Sequence, residues 1–207
     1  MITFTLASAS PARLATLRSA GIEPIIVVSD VDEDAVVAAA RAAGYALPPK
    51  EVVLFLARAK AHDVSARVAA GVVLGCDSML EFDGQVVGKP ADATSATVRW
   101  RAMRGKSGVL HTGHWLVDHR PGSPGEVGAT ASTIVHFADL SDAEIDSYVA
   151  TGEPLNVAGA FTIDGLGGPF IERIEGDHHN VVGLSLPLLR HLLGSRGIGV
   201  QQLWVRP

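Results

Sequence analysis

The sequence predicts an α/β fold, with a mixed, twisted central sheet flanked by helices. Three observations favour it. Apolar runs of strand length alternate with segments of helical periodicity through the first half of the chain. The apolar run 72–78 ends in glycine, a small residue and the carboxylate of Asp77, and open α/β sheets place their ligand crevice at such strand ends. Two longer strands, 109–117 and 129–137, are joined by a turn-rich loop and predict an antiparallel hairpin.

Length and composition suit a single domain, residues 1–207, with one or two compact lobes. The chain has 207 residues, of which 47% are hydrophobic and 19% charged, so it can bury a core of its own. Cys76 is the single cysteine, which excludes an internal disulfide and a cysteine-based zinc site and favours a buried small apolar residue. The net charge of −5 gives no general attraction to nucleic acid.

Neither a membrane span nor a signal peptide is expected. No apolar run approaches the roughly 20 residues that a transmembrane helix needs. Residues 1–4 lack the basic and apolar regions of a signal peptide. We therefore expect a cytoplasmic protein without a membrane partner, in which local cations hold any anionic ligand.

The first predicted element is a strand at residues 2–6, followed by a tight loop and a helix. Ser10 at the N-cap, a proline at the first helical position and a glycine just beyond the end are a full set of helix boundary signals. The N–H groups of the helix start, the hydroxyls of Ser8 and Ser10, and Arg13 one turn further on form a cradle for a phosphate or a carboxylate. Simple capping by Ser10 is the alternative.

A second predicted strand, residues 24–29, leads into an acidic segment and then an alanine-rich helix. Acidic residues in the first turn of a helix complement its dipole, so solvated capping explains each of them individually. Because this strand too ends in carboxylates, they could join Asp77 in holding a hard divalent cation, which takes oxygen ligands from several elements. For Asp77 the alternative is a turn or helix cap.

A long helix is predicted at about residues 50–70, and it carries a lysine on its apolar side. The apolar stripe consists of Val53, Leu56, Ala57, Ala61, Val64 and Val68. Lys60 falls on this stripe, where a charge is costly unless the side chain extends outward to water or its ammonium meets an anion. The sequence leaves both alternatives open.

A hairpin follows the strand that ends in Asp77. Residues 79–82 and 85–87 flank an Asp-Gly pair at 83–84, a two-residue turn signal that needs positive φ. The hairpin would return Lys89 to the neighbourhood of Asp77. A cation and a carboxylate would then face one crevice.

The last part of the chain offers fewer signals. The glycine-rich segment 153–168 has little periodicity, and such a stretch inside a compact domain is usually functional. An edge strand is predicted at 200–205. The histidines of the two long strands have no metal-ligand spacing and are interpreted as structural, and the adjacent histidines at 178–179 as surface residues.

Several short motifs follow one another in a fixed order along the chain. They are Ser8-Ala9-Ser10-Pro11-x-Arg13, residues 29–33, Leu56-Ala57-x-x-Lys60-Ala61, Gly75-x-Asp77-Ser78, Gly88-Lys89-Pro90, Thr112-Gly113, Gly152-Glu153-Pro154, Ala158-Gly159-Ala160-Phe161 and Asn180-Val181-Val182-Gly183-Leu184. In this order they resemble the Maf proteins, from near the first residue to about Leu193. The resemblance implies a two-lobed α/β fold shared with inosine triphosphate pyrophosphatases, with the active site in the cleft between the lobes.

The resemblance also implies a metal-dependent nucleoside triphosphate pyrophosphatase, usually a homodimer, that yields a nucleoside monophosphate and pyrophosphate. Six positions match the family's site: Ser8 and Arg13 its phosphate-binding loop, Glu33 and Asp77 its acidic metal or base positions, and Lys60 and Lys89 its lysines. On this view Glu33 and Asp77 hold Mg²⁺ or Mn²⁺. Asp77 would also activate the attacking water, while the basic residues offset the charge of the triphosphate.

The resemblance leaves the preferred base open. Ala12 stands where many relatives have a second arginine. Ser78 and Asp164 are the candidate base-selecting residues, and they fit neither the thymidine and uridine triphosphate branch nor the 7-methylguanosine triphosphate branch. Because the carboxylate of Asp164 accepts hydrogen bonds, it favours a base edge rich in donors or a cationic methylated purine. Because Ser78 and Asp164 match neither branch, broad specificity is expected.

A protein of another class is the alternative to an enzyme. It is a non-catalytic nucleotide-binding regulator of cell division or septation. Such a regulator could bind nucleotides without a metal and would release no pyrophosphate.

Overall fold

The computed structural model describes residues 2–45 and 47–205. Its strands are β1 (Phe4–Ala7), β2 (Ile25–Ile26), β3 (Val72–Phe82), β4 (Gln85–Val87), β5 (Ser107–Asp118), β6 (Gly125–Phe137) and β7 (Ile171–Glu175). They form one sheet in the order β2-β1-β3-β5-β6-β7, with β4 paired to β3 beside this path. β1 is parallel to β2 and β3, and the other pairs are antiparallel. The mixed sheet and the hairpin of β5 and β6 confirm the predicted fold class.

Helices lie on both faces of this sheet. They are α1 (Pro11–Ser19), α2 (Glu33–Ala42), α3 (Pro49–Ser65), α4 (Ala93–Met103), α5 (Asp142–Ala150), α6 (His178–Val182) and α7 (Leu186–Ser195). Ser10, Asp32, Asp92 and Ser141 cap α1, α2, α4 and α5, and each side chain accepts a backbone N–H of the first turn. Because caps satisfy N–H groups that have no partner inside the helix, they mark helix starts that sequence can predict.

The two faces of β3 pack against different helices. Val73 contacts Ala61 and Val64 of α3, so α3 covers the face that also carries Gly75 and Asp77. The opposite face carries Leu74, Cys76, Leu80 and Phe82. At its start this face packs against α1 and α7, and further along it packs against α4 and α5. Cys76 is fully buried there, as predicted.

Two glycines allow α3 to lie unusually close to the sheet. A Cβ on Gly75 would lie 2.1 Å from the carbonyl oxygen of Ala57, and a Cβ on Gly113 would lie 2.2 Å from that of Val53. Only glycine tolerates a helix backbone at this distance from a strand. The close approach brings the side chain of Lys60, one turn beyond Ala57, onto β3.

The segment 153–168 is more ordered than its composition predicts. It contains two short 3₁₀ helices, Glu153–Asn156 and Ala158–Ala160. The carboxylate of Glu153 accepts hydrogen bonds from Tyr148 Oη, Thr162 Oγ1 and the N–H groups of residues 166 and 167. One carboxylate therefore satisfies backbone and side-chain donors in a segment that lacks regular backbone pairing.

The predicted edge strand at 200–205 is wrong. Val200–Leu203 is a 3₁₀ helix, and Trp204 makes an isolated bridge to Ile22. Gln202 donates its N–H to the Gly199 carbonyl, and its side chain accepts the Gly199 N–H. These two bonds join residues three positions apart, which is possible in a turn but not in an extended strand.

Some element boundaries also differ from prediction. α3 ends at Ser65 rather than near residue 70, and β2 spans two residues of the predicted 24–29. Residues 178–179, predicted as loop, begin α6, which Asp177 caps. Across the described residues no helix is both long enough and apolar enough to span a membrane.

Candidate active site

The ammonium group of Lys60 joins two carboxylates from different elements. Lys60 Nζ lies 2.7 Å from Asp77 Oδ1 on β3 and 2.7 Å from Glu33 Oε1 at the start of α2. Lys60 and Asp77 are buried, whereas the side chain of Glu33 is half exposed. Of the two alternatives for Lys60, the structure has the one in which the ammonium meets anions.

Asp77 has an oxygen atom that no neighbour satisfies. Its Oδ2 is buried and has no hydrogen-bond partner among the residues described. Burial raises the pKa of Asp77 above its ordinary value, although the charges of Lys60 and Arg13 act to lower it. A buried acceptor without a partner is costly, so the site suits a ligand that supplies a proton or a positive charge.

Asp77 lies in a gap along one edge of β3. β5 pairs with β3 from Val72 to Glu81, so β1 and β4 must share the other edge. β1 pairs as far as Gly75 and β4 pairs only from Leu80 onward. Residues 76–79 of β3 therefore have no strand partner on that edge in the described structure. A change of connection at a strand end of this kind is where α/β sheets bind ligands.

The loop after β1 enters this gap and is held by Arg13. Arg13 is buried, and its Nη1 donates to Ser8 Oγ at 2.9 Å, while Nη2 donates to Ser78 Oγ at 3.0 Å. Ser8 Oγ also accepts the N–H of Ser10 at 3.2 Å. The side chain of Ser10 accepts the N–H of Arg13 and so caps α1, which is the capping role given as the alternative for Ser10. Arg13 and Ser78 thus approach from one face of the sheet, and Lys60 and Asp77 from the other.

Comparison with known proteins adds the family to this geometry. A family model described as Maf-like protein matches residues 3–196. The chain belongs to this family. Its relatives include proteins named nucleoside triphosphate pyrophosphatase from Salinispora tropica, 59% identical over 206 residues (97% of this chain, 87% of the relative), and from Streptomyces coelicolor, 55% identical over 201 residues (96% and 93%). A third, from Leifsonia xyli subsp. xyli, bears the same name and is 56% identical over 206 residues (97% and 96%).

The Maf motif that contains Lys89 approaches the gap from its far side. β4 runs antiparallel to β3 and pairs Val87 with Leu80, so Gly88 and Lys89 continue toward residues 76–79. Lys89 is exposed, and no ion pair to it is found within residues 2–45 and 47–205. The structure thus places this lysine just beyond β4, at the far end of the gap, without joining it to Asp77.

The Maf positions predicted to select the base are not brought together. Ser78 Oγ is hydrogen-bonded to Thr112 Oγ1 at 2.9 Å and accepts a hydrogen bond from Arg13. Its side chain lies on the face of the sheet opposite Asp77. Asp164 is exposed, in the loop that Glu153 holds. In the sequence, Thr112 stands out only as part of the motif Thr112-Gly113. Its signal was a hydroxyl in an apolar strand, which requires a buried partner.

A second group of possible ligand atoms lies at the start of α6. Oxygen and nitrogen atoms of Asp177, His178 and His179 lie within 4.8 Å of one another. Asp177 Oδ1 already accepts the N–H of His179 as the helix cap. Capping explains the position of Asp177, and the exposed His178 agrees with the surface role predicted for the histidines.

Proposed function

We propose that this Maf-family protein is a metal-dependent nucleoside triphosphate pyrophosphatase. It hydrolyses the bond between the α- and β-phosphates and yields a nucleoside monophosphate and pyrophosphate. The observation that carries the proposal is the buried Asp77, with one oxygen paired to Lys60 and the other without a partner, at a gap entered by the Arg13 loop. The names of relatives at 51–59% identity support it.

The residues of the site fit a divalent cation. Asp77 Oδ2 is an unpartnered buried oxygen, and Glu33 presents a second carboxylate from another element. Carboxylate oxygens are the ligands of Mg²⁺ and Mn²⁺. Lys60 pairs with one oxygen of each carboxylate, which leaves the other oxygen of each for a cation. Glu33 and Asp77 would hold Mg²⁺ or Mn²⁺, which when bound polarises phosphate oxygens as a Lewis acid.

The chain's own groups would bind the triphosphate and move one proton. Ser8 and Ser10 contribute hydroxyl groups and Arg13 a guanidinium to the phosphates, and Lys60 and Lys89 offset the remaining charge. Asp77 accepts the proton of the attacking water as the general base, and burial raises its pKa above the ordinary carboxyl value. Phosphoryl transfer needs little more than this, because it is accelerated mainly by positioning and charge stabilisation.

Pyrophosphate release tests the proposal. A nucleotide panel is assayed with inorganic pyrophosphatase and phosphate detection, with and without Mg²⁺ or Mn²⁺. We expect metal-dependent release from at least one nucleotide. Asp77→Asn should lower kcat about 10²–10⁴-fold, because a general base is lost. Asp146→Asn, at an exposed aspartate of α5, is the control and should retain activity.

Two outcomes would contradict this assignment. Near wild-type activity of Asp77→Asn would remove Asp77 from the mechanism. No release from any nucleotide would favour the non-catalytic nucleotide-binding regulator of division or septation.

The proposal also covers the preferred base, the position of the site between two lobes, and the assembly state of the protein. Asp164 is proposed to favour bases with donor-rich edges within a broad specificity, so Asp164→Asn should change the order of rates across the panel. The site is proposed to lie in a cleft between two lobes of one domain, and the protein to form a homodimer. Light scattering after size exclusion measures the assembly state.

A further inference from the structure

A line of hydrogen bonds runs from the Arg13 guanidinium into the protein interior. Arg13 Nη2 lies 3.0 Å from Ser78 Oγ, which lies 2.9 Å from Thr112 Oγ1. Thr112 Oγ1 lies 3.2 Å from the carbonyl oxygen of Asn180 on α6. Thr112 and Asn180 are fully buried and Ser78 is half buried. We call this line the Arg13 relay.

The two ends of the relay determine the direction of each bond in it. A guanidinium can only donate, and a carbonyl oxygen can only accept. Ser78 therefore accepts from Arg13 and donates its own proton to Thr112. Thr112 in turn donates to the carbonyl of Asn180. Both hydroxyl protons are thus committed, and neither can be donated to a substrate.

The relay also decides which donors of Arg13 face a ligand. A guanidinium has five N–H groups. Nε donates to the Gly183 carbonyl at 2.8 Å, Nη1 to Ser8 Oγ and Nη2 to Ser78 Oγ. Within the described part of the chain, one N–H on each terminal nitrogen is left without an acceptor. Two such N–H groups on one planar cation are a donor set suited to a phosphate.

The acceptors on α6 are themselves held in place. Asn180 donates its side-chain amide to the Leu110 carbonyl and to Thr133 Oγ1, both at 3.1 Å, which ties α6 to β5 and β6. Gly183 has a φ of +116°, and a Cβ there would lie 3.4 Å from Arg13 Nε. Two carbonyl groups therefore hold Arg13, that of Gly183 just after α6 directly and that of Asn180 in α6 through the relay.

We propose that Ser78 and Thr112 are positioning residues that hold Arg13 for the phosphates and do not contact the base. The inference rests on the proposed function, whose phosphate-binding loop contains Arg13. It departs from the sequence-based expectation that Ser78 selects the base. The relay joins the phosphate loop to the interior of the sheet, so its effect on catalysis passes through Arg13.

A matched pair of substitutions separates the relay from packing. Thr112→Val keeps the shape of the side chain and removes the hydroxyl, whereas Thr112→Ser keeps the hydroxyl and removes the methyl group. We expect Thr112→Val to lower kcat/KM about 10- to 100-fold, mainly through KM, and Thr112→Ser to stay within about threefold of wild type. The thermal midpoint of each variant is measured to check that it folds. A Ser variant more damaged than the Val variant would overturn the proposal.

Ser78→Ala breaks the relay at its half-buried member, and it keeps the proposal testable if Thr112→Val does not fold. We expect the same loss of kcat/KM. The order of rates across the nucleotide panel should stay that of wild type, because Ser78 does not touch the base. A changed order would overturn this part of the inference.

A double-mutant cycle shows whether the effect passes through Arg13. Adding Thr112→Val to Arg13→Ala should change kcat/KM by less than about threefold, because the group that Thr112 positions is already absent. If the double variant loses kcat/KM by the product of the two single losses, Thr112 acts independently of Arg13 and the proposal is overturned.

Binding of inorganic pyrophosphate separates the failure of the inference from that of the proposed function. Calorimetry with pyrophosphate and Mn²⁺ should show weaker binding by Thr112→Val and unchanged binding by Thr112→Ser. If no nucleotide is hydrolysed but this pattern holds, the proposed function fails and the relay stands. If wild type binds no pyrophosphate, or both variants bind as wild type does, the relay proposal is overturned.

Discussion

Lys60 is the residue whose position folding alone explains least well. It lies on the apolar stripe of α3, where a leucine or methionine would pack without any cost of desolvating a charge. Buried ion pairs are often no better for stability than apolar residues of similar size. The position of the ammonium between Asp77 and Glu33 therefore agrees with the role proposed for Lys60 in the reaction.

Replacing Lys60 should damage both activity and stability. Lys60→Met removes the partner of the buried Asp77, and breaking a buried pair typically costs about 3–5 kcal/mol. We expect a loss of this order in urea unfolding and a fall in kcat of at least about 100-fold in the folded fraction. Lys50→Met, at an exposed position of the same helix, is the control. Equal activities of the two variants would show that Lys60 has no part in the reaction.

His114 is a buried neutral histidine whose tautomer is determined by its neighbours. Its Nε2 accepts the N–H of Ser185 at 2.8 Å, so its Nδ1 carries the proton and donates to the Thr112 carbonyl at 3.0 Å. Burial lowers the pKa of His114 to about 4, although the hydrogen bond to Thr112 acts to raise it. A proton added at Nε2 would break the bond to Ser185 and place a charge in the core.

The lowered pKa of His114 predicts an acid-labile fold. Between pH 6.5 and about 4 the unfolded chain binds a proton that the folded protein does not, so stability falls as the pH falls through this range. The full effect is about 3 kcal/mol. His114→Gln cannot titrate, and its urea unfolding should depend less on pH between 7 and 4.5. Identical pH dependence in wild type and variant would exclude His114 as the cause.

At the level of secondary structure, the close packing of α3 on β3 sets the distance between Lys60 and Asp77. The two side chains come from different elements, and the glycine at position 75 lets those elements meet at backbone distance. The pairing of β1 and β4 on one edge of β3 then leaves the gap in which Asp77 lies. The site thus depends on how elements stack as much as on which residues they carry.

A methyl group at position 75 should separate these elements. In Gly75→Ala the new Cβ would lie 2.1 Å from a backbone oxygen of α3, which cannot rotate away. We expect a loss of about 1–3 kcal/mol in the free energy of unfolding and a large loss of activity, because the helix moves Lys60 away from Asp77. Gly194→Ala, inside α7 with open space around it, should be neutral or stabilising. Full activity of Gly75→Ala would contradict this role for α3.

At the level of the whole molecule, the proposed metal site links folding to ligand concentration. A ligand that binds only the folded state stabilises it according to its concentration relative to Kd. Asp77 on β3 and Glu33 on α2 come together only in the folded chain. A cation bound to both carboxylates would therefore hold two parts of the molecule together.

Divalent metal should raise the thermal midpoint of the wild-type protein. At 100 times Kd the gain is about 2.7 kcal/mol. Glu33→Gln should lose most of this shift, whereas Glu51→Gln, at an exposed glutamate of α3, should keep it. An equal shift in all three proteins would place the cation elsewhere. The assay measures melting alone and does not require turnover.

Much of the fold could be predicted because its signals are local. The capping side chains of Ser10 and Ser141 and the glycines at turns act within a few residues, so periodicity and capping rules locate these helices and hairpins. The end of the chain was mispredicted for the same reason. The apolar residues Val200, Leu203, Trp204 and Val205 suit a strand, but the Gly199 N–H donates to the Gln202 side chain and closes a turn instead.

The sequence by itself determined the fold class, the family motifs and the residue types of the site, because capping, periodicity and charge on an apolar stripe are properties of neighbouring residues. Only the tertiary structure decided that Lys60 bridges Glu33 and Asp77, that residues 76–79 of β3 border a gap, and that Ser78 accepts a hydrogen bond from Arg13. These contacts join residues 17 to 65 positions apart in the chain. The distances between these side chains depend on how helices and strands pack, and this packing cannot be predicted from neighbouring residues alone.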